Sequence, residues 1–198
     1  FAAKRADKPE MFNGPVLLGR NARFTPDRLQ ADYFRTDFAS FLAWRDWGFP
    51  DRDVFNGFGM GALRCADGAF VLGEMGPHTA NAGRIYFASG TPDPSDLRGD
   101  VVDIAGSVLR EVAEEIGLTA ASFRVDPQWH CVVTGAAIAM MQILDADLGG
   151  AEMRAVIMAN LAAQADPELS DIHLVRSTAD FTSTMPLFVT AFIAAQLA

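Results

Sequence analysis

The segment Arg110-Glu111-Val112-Ala113-Glu114-Glu115-Ile116-Gly117-Leu118 carries three glutamates within five residues and ends at a glycine typical of a helix stop. On an α-helix, with about 100° per residue, Glu111 at 0°, Glu115 near +40° and Glu114 near −60° share one side. The apolar side, between about 100° and 160°, is predicted to hold Ala105, Leu109, Val112 and Ile116. The segment therefore predicts an amphipathic helix with an acidic face opposite a core face.

The acidic face of this helix favours a cation. Like charges three and four residues apart destabilise a bare helix by a few tenths of a kcal/mol per pair, and a bound cation removes that repulsion. Carboxylate oxygens at this density suit a hard ion, Mg²⁺ or Mn²⁺. Asp103 lies on the same side, but it is about 16 Å along the axis from Glu114, too far to share one ion. The alternative is a solvated acidic face that binds nothing.

The same segment resembles the second half of the Nudix box, G-x5-E-x7-R-E-U-x-E-E-x-G-U, in which U is a bulky apolar residue. Seven of its nine residues match the fixed positions: Arg110, Glu111, Val112, Glu114, Glu115, Gly117 and Leu118. The first half departs from the pattern. Val102 occupies the glutamate position, with Asp103 beside it as the expected stand-in. Asp96 occupies the glycine position, and residues 90–94 are interpreted as a displaced glycine turn.

The resemblance implies an α/β/α sandwich with a mixed sheet and a hydrolase that cuts pyrophosphates with Mg²⁺, or alternatively Mn²⁺. It implies that the three box glutamates form the metal shell, one of them also serving as general base. Gly90 would offer a backbone carbonyl to the metal, and Arg110 would orient a box glutamate through an ion pair. Asp103 is expected to hold the Gly90 turn or the helix start rather than the metal.

Three further residues are candidates for the site. Glu168 precedes a short strand, where many Nudix enzymes place an extra metal-binding acid; the alternative is a solvated loop acid. Arg84 could hold the distal phosphate or merely flank a strand, and His78 lies in a polar loop where it could touch the substrate. His130 and His173 lie in apolar strands and are interpreted as core residues, as are Phe41, Trp44 and Trp47, Cys65 and Cys131.

A looser similarity, in ones and twos of residues, points to the Nudix group that cleaves UDP-glucose and UDP-galactose. It rests on Asn13-Gly14, the aromatic helix 38–47, Gly59-Met60-Gly61-Ala62, the 90–94 turn and Asp103. A UDP-sugar is therefore the favoured substrate, giving a nucleoside monophosphate and a sugar phosphate. The alternatives are a diphosphatase for CoA, ADP-ribose or dinucleotides, and a Nudix-fold module that binds a nucleotide for regulation without hydrolysing it.

The chain is predicted to consist of an N-terminal α/β appendage, 1–57, packed on a main domain, 58–198. Residues 1–12 are expected to be loose, and Thr36 is expected to cap a helix over 36–47. The other predicted helices span 100–116, 151–164 and 182–197. The predicted strands span 15–20, 61–65, 69–73, 84–88, 123–133, 136–144 and 172–176.

The composition narrows the class of partner. The chain has 198 residues, half of them hydrophobic, and a net charge of −9. Duplex nucleic acid is therefore a poor partner, because affinity for it comes mainly from lysines and arginines. No apolar run reaches membrane-spanning length, and the N-terminus has no signal-like core, so a soluble, cytoplasmic enzyme for a small nucleotide is expected. The apolar segment 186–197 is either a core helix or the face of a homodimer.

Overall fold

The computed structural model describes residues 13–198; the loose terminus expected for residues 1–12 lies outside them. The strands are β1 (Pro15–Thr25), β2 (Arg28–Asp37), β3 (Val54–Arg64), β4 (Phe70–Met75), β5 (Ile85–Tyr86), β6 (Leu97–Arg98), β7 (Val101–Val102), β8 (Arg124–Thr134), β9 (Ala137–Asp145) and β10 (Leu169–Val175). The helices are α1 (Phe38–Asp46), α2 (Ile104–Ile116), α3 (Gly150–Ala163) and α4 (Leu187–Gln196).

Strand β3 is the centre of an eight-stranded mixed sheet. One edge of β3 pairs in parallel with β9, which continues to β8. The other edge is shared: β4 pairs near its carboxyl end, and β1 pairs near its amino end. Because β4 and β1 both leave this edge of β3, a gap opens between them. Gly61 N donates there to Ala88 O at 3.1 Å, so the chain leading to Gly90 runs through the gap.

Helices cover both faces of this sheet. Gly59 and Gly61 face α2, whereas Phe58, on the opposite face because side chains alternate along a strand, contacts Phe188 of α4 edge to face. Helix α3 lies beside α2, where Asn160 Nδ2 donates to Ile116 O at 3.0 Å. The predicted α/β/α sandwich with a mixed sheet is therefore confirmed.

Glycines set how closely α2 approaches the sheet. A Cβ atom added at Gly59 would lie 2.5 Å from Val108 Cγ2, and one added at Gly61 would lie 2.5 Å from Val112 Cγ2. Such distances are far inside van der Waals contact, so a larger residue at either position would push the helix outward. The close approach brings Ile104, Val108 and Val112 of α2 directly onto β3.

The N-terminal part has its own small core. Phe41, Leu42 and Trp44 of α1 pack with Val16 and Leu18 of β1, separately from the main core. Yet β1 pairs with β3, and β3 begins at Val54, before the predicted boundary at 57/58. The division into an appendage and a main domain remains a prediction.

Several element ends differ from prediction because of caps. Helix α1 is capped by Asp37, whose Oδ1 accepts from Ser40 N at 3.0 Å, and not by Thr36, which lies in β2. Helix α2 begins at Ile104 rather than near 100, because Asp103 caps it. Helix α4 begins at Leu187 rather than 182, after the N-cap Pro186. Its residues Val189, Phe192 and Ile193 are buried, so α4 is a core helix; the homodimer remains a prediction.

No helix within residues 13–198 is long and apolar enough to cross a membrane.

Candidate functional site

The buried stripe of α2 differs from the predicted one. Val108, Val112 and Ile116 are buried as a core stripe, but Ala105 is exposed. Glu115 belongs to the same stripe and is only 4% exposed. The predicted separation of an acidic face from a core face was therefore wrong for this residue. The physical reason is that Val108 falls near +60° on the same helical wheel, so Glu115, near +40°, borders the stripe that packs on Gly59 and Gly61 of β3.

Glu115 is an unusual buried acid. Its Oε1 accepts a long hydrogen bond from Ser89 N at 3.4 Å, and its Oε2 is buried without a hydrogen-bond partner within the described residues. Burial raises the pKa of Glu115 well above its ordinary value, and the negative charges of Glu111 and Glu168 raise it further. A buried carboxylate oxygen without a partner costs folding free energy, so such an atom suggests a missing ligand.

Glu111 lies one turn before Glu115, against the Gly90 turn. A Cβ atom added at Gly90 would collide with the Glu111 carboxylate, so only a glycine leaves room for it. Burial raises the pKa of Glu111 to about 7, although the charge of Arg110 lowers it; Glu114 and Glu168 raise it. The predicted neighbourhood of Gly90 and the box glutamates is therefore observed, and these carboxylates interact with Glu168 as well.

Arg110 connects three acidic side chains. Its Nη2 lies 3.0 Å from Glu111 Oε1, and its Nη1 donates to Glu114 Oε2 at 3.0 Å. Nη2 also donates to both carboxylate oxygens of Asp96, at 3.1 and 3.2 Å. Asp96 is only 3% exposed. The ion pair between Arg110 and a box glutamate, expected from the sequence, is thus present in the structure.

Asp96 was missed by the sequence reasoning, which gave the role of the displaced acid to Asp103. Asp103 caps α2, its Oδ1 accepting from Gly106 N at 2.9 Å, which confirms the expectation that it holds the helix start. Asp96 ends a short 3-10 turn and is held by Asp93 N, which donates to its Oδ2 at 3.0 Å. The available signal was an acid in the insertion, fourteen residues before Arg110, at the position where the pattern has glycine.

The residues around Gly90 fit a divalent cation in their chemistry. Glu115 supplies an oxygen without a partner, Glu111 a second carboxylate whose side chain is 13% exposed, and Gly90 the space that a Cβ atom would fill. Within residues 13–198, no three His, Cys, Asp or Glu side chains already stand in a metal-binding arrangement. Glu111 and Glu114 are directed toward Arg110 instead. Binding of an ion would therefore require at least Glu111 to turn away from the guanidinium.

A cleft of about 870 Å³ opens beside this cluster. It is lined by Gly90 and by the three outer candidates, Glu168, Arg84 and His78. Glu168 is exposed, and its backbone carbonyl accepts from Gly76 N at 2.7 Å, which ties its loop to the His78 loop. His78 Nε2 lies 3.8 Å from Asp166 Oδ1. The structure thus brings together on one cleft the residues that the sequence could only suggest separately.

The residues that the sequence assigned to the core divide into two groups. Phe41, Trp44 and Cys65 are buried, and His130 packs its ring on Phe192 at 5.5 Å. Three assignments were wrong: Trp47 is 76% exposed, Cys131 is exposed, and His173 Nε2 lies 2.8 Å from Glu74 Oε2 at the sheet surface. Cys131 and His173 lie in β8 and β10, and Trp47 is the C-cap residue that follows α1. Both cysteines are free.

Comparison with known proteins gave matches in structure alone. No family model and no curated protein matches the sequence. A Nudix hydrolase from M. smegmatis, RenU, is similar over 71% of this chain and 81% of its own, with 14% identity and a TM-score of 0.45. The MutT protein from Methanosarcina mazei Go1 is similar over 71% and 91%, with 17% identity and a TM-score of 0.42.

A third similar structure contains a metal. It is a bifunctional NMN adenylyltransferase/ADP ribose pyrophosphatase from Francisella tularensis, complexed with AMP and an Mn ion. It is similar over 69% of this chain and 38% of its own, with 14% identity and a TM-score of 0.42.

Proposed function

We propose that this protein is a hydrolase dependent on Mg²⁺, or alternatively Mn²⁺, that cuts the pyrophosphate of a nucleoside diphosphate linked to another moiety. One observation carries the proposal: the oxygen of Glu115 that is buried without a partner, beside the raised-pKa carboxylate of Glu111, next to a cleft. A protein that merely needed a stable helix would gain nothing from burying two neighbouring acids. A bound cation offsets this unfavourable burial.

The residues of the carboxylate cluster would have different roles in binding the cation. Glu111, Glu115 and the Gly90 carbonyl would hold the cation, with Glu114 and Glu168 at the outside of the shell. When bound, a divalent cation neutralises phosphate charge and lowers the pKa of a bound water. Arg110, anchored on the buried Asp96, pairs with Glu111 and Glu114 in the metal-free protein, and Glu111 would turn away from it to meet the ion.

Two groups on the cleft wall complete the proposed chemistry. Attack of water on phosphorus needs a base for the water's proton, and a carboxylate within hydrogen-bond reach provides one. Glu168 is exposed on the wall and makes no ion pair within residues 13–198, so it can take that proton. His78, on the same wall, would contact the phosphate that leaves.

A UDP-sugar remains the favoured substrate, giving a nucleoside monophosphate and a sugar phosphate. The support is the looser sequence similarity, together with a cleft within the usual size range for small-molecule sites. A diphosphatase for CoA, ADP-ribose or dinucleotides is the alternative with the same cluster. The cytoplasmic location and the absence of duplex nucleic acid among the partners remain predictions.

A nucleotide-binding module without hydrolysis is the candidate from another class. Its support is the engagement of Glu111 and Glu114 by Arg110, which holds both glutamates away from a shared ion. A binding module of this kind does not explain why Glu115 Oε2 is buried without a hydrogen-bond partner within the described residues.

Monophosphate release from a panel of substrates distinguishes the UDP-sugar hydrolase, the other diphosphatases and the nucleotide-binding module. The panel contains UDP-sugars, ADP-ribose, CoA and dinucleoside polyphosphates, each with Mg²⁺ and with EDTA. Turnover that needs Mg²⁺ is expected, with UDP-sugars fastest. No turnover of any member would leave only the binding module, and turnover of all members except UDP-sugars would exclude the UDP-sugar assignment.

The variant Glu115→Gln tests whether the cluster is the active site. It removes the buried negative charge while keeping the shape of the side chain, so turnover should fall by orders of magnitude while the fold survives. Glu152→Gln, at an exposed acid in the first turn of α3, is the matched control and should keep wild-type activity. Unchanged activity in Glu115→Gln would place the metal site elsewhere.

A further inference from the structure

Two arginines converge on a side concavity of the cleft. The concavity has a volume of about 380 Å³ and is lined by Arg45, Ala80, Asn81, Ala82 and Arg84. No acidic residue lines it, whereas Glu168 and Asp166 line the main cleft. Ser89 and Gly90, which mark the carboxylate cluster, are also absent from its lining. The side concavity is therefore a recess of the cleft: Arg45, Ala80, Asn81 and Arg84 line both, whereas Ser89 and Gly90 line only the cleft.

Arg45 reaches the concavity from α1 and is held there by an amide. Its Nη1 donates to Asn81 Oδ1 at 3.2 Å. Asn81 Nδ2 in turn donates to the hydroxyl of the buried Tyr86 at 3.2 Å, which fixes the orientation of the amide. Since the partner of Arg45 is neutral, the guanidinium is positioned without having its charge neutralised.

Arg84 lies on the opposite side, at the end of the loop that precedes β5. Its backbone N donates to Asn81 O at 3.0 Å, so the same residue positions both arginines. Its side chain is exposed and makes no ion pair within residues 13–198. The loop is also tied to the Glu168 loop through Gly76 N, so the concavity keeps a defined position relative to the acids.

Neither guanidinium group has a carboxylate partner within residues 13–198, although the net charge of the chain is −9. Six other arginines form ion pairs with acids: Arg64, Arg98, Arg110, Arg124, Arg154 and Arg176. The two arginines of the cleft do not, within the part of the chain that the structure describes. Guanidinium groups bind phosphate and carboxylate through paired, charge-assisted hydrogen bonds. Two of them, facing one concavity, form a site for an anion.

We propose that Arg45, Asn81 and Arg84 bind an anionic group on the moiety linked to the nucleoside diphosphate, either a phosphate monoester or a carboxylate. The inference rests on the proposed function and narrows its substrate class to compounds with a negative charge beyond the pyrophosphate. A neutral sugar would leave both guanidinium groups without a partner. Arg45 also gives the N-terminal part of the chain a role in substrate selection.

Binding of inorganic phosphate without metal tests the site itself. In EDTA the carboxylate cluster repels phosphate, so calorimetric titration reports the arginine site. Arg45→Gln should weaken phosphate binding about tenfold, the effect of losing one charge-assisted contact. Arg52→Gln, at an exposed arginine that does not line the cleft, is the control and should bind like wild type. Equal phosphate affinity in wild type and Arg45→Gln would overturn the proposal.

Matched substrate pairs identify the anion. UDP-glucuronate against UDP-glucose tests a carboxylate, and CoA against dephospho-CoA tests a phosphate monoester. The charged member of one pair should show kcat/KM about tenfold higher, and Arg45→Gln should reduce that ratio toward one. Arg45→Lys keeps the charge but loses the paired geometry, so its kcat/KM ratio should lie between those of the wild type and Arg45→Gln.

The outcomes separate this inference from the proposed function. Turnover without preference for the charged member of either pair overturns the anion site and leaves the hydrolase. Phosphate binding that depends on Arg45, without turnover of any substrate, overturns the hydrolase and supports the anion site.

Discussion

Replacement of Glu111 by glutamine should stabilise the metal-free protein at alkaline pH. The Glu111 side chain is only 13% exposed, and burial raises its pKa from the ordinary 4.5 to about 7, even with Arg110 beside it. The folded state therefore disfavours the charged form. This difference in pKa corresponds to about 3 kcal/mol of unfolding free energy, which Glu111→Gln should recover at pH 8.

The sign of the pH dependence follows from proton binding. Between pH 4.5 and about 7 the folded protein retains a proton on Glu111 that the unfolded chain has lost. The unfolding free energy of the wild type therefore falls as pH rises through this window and stays low above it. Glutamine does not titrate, so the advantage of the variant should be largest at pH 8 and small near pH 4.5.

Thermal and urea unfolding in EDTA, at pH 5 and at pH 8, measure this difference. For a chain of this length, about 3 kcal/mol corresponds to a rise in Tm of about 6 to 12 °C at pH 8. Glu114→Gln is the matched control. The Glu114 side chain is 59% exposed, so losing its pair with Arg110 should change stability by only about 0.5 kcal/mol.

Added Mg²⁺ should reverse the order of stability. At a hundred times its Kd, a bound ion would stabilise the wild type by about 2.7 kcal/mol, whereas the variant lacks a ligand and should gain less. A Glu111→Gln variant that is less stable than wild type at pH 8 in EDTA would refute the argument from burial. Equal stabilisation of both proteins by Mg²⁺ would remove Glu111 from the metal shell.

Three further substitutions have distinct expected outcomes. Asp96→Asn should lower the unfolding free energy by roughly 3 kcal/mol in urea titrations, because Arg110 loses its buried carboxylate; an effect below about 1 kcal/mol would contradict the buried pair. Gly90→Ala should reduce turnover strongly with little loss of Tm, because the added Cβ displaces only the Glu111 carboxylate, and wild-type kinetics would argue against the site. Gly117→Ala should cost about 1 to 2 kcal/mol in urea unfolding, since Gly117 has a φ of 70° and a Cβ there would lie 2.8 Å from Asn160; unaltered stability would contradict the strain.

The sequence predicted the helix of the site and its end because both are local properties. The periodicity of apolar residues over 104–116 and the glycine after them are read from contiguous residues, and α2 ends at Gly117 in the left-handed conformation. The fold class could be predicted for the same reason, since strands and helices have different periods. The helix caps were harder to predict from the sequence. Thr36 and Asp37 are both good capping residues, and in the structure Asp37 caps α1.

The partners of the site residues could not be predicted in the same way. Glu115 is buried because it borders the stripe of α2 that packs closely on Gly59 and Gly61 of β3, a contact across about fifty residues of sequence that no helical period contains. Arg110 forms its ion pair with Asp96 rather than Asp103, because the insertion folds back as a 3-10 turn that ends at Asp96. Asp103 caps the helix.

By itself, then, the sequence determined which carboxylates occur together, on what kind of element, and where that element ends. The tertiary structure decided which of those carboxylates is buried, which acid holds Arg110, and that Arg45 meets Arg84 beside the cleft. The physical reason is the range of the interactions: hydrogen-bonded turns depend on neighbours in the chain, whereas burial and ion pairing depend on how the sheet brings distant segments together.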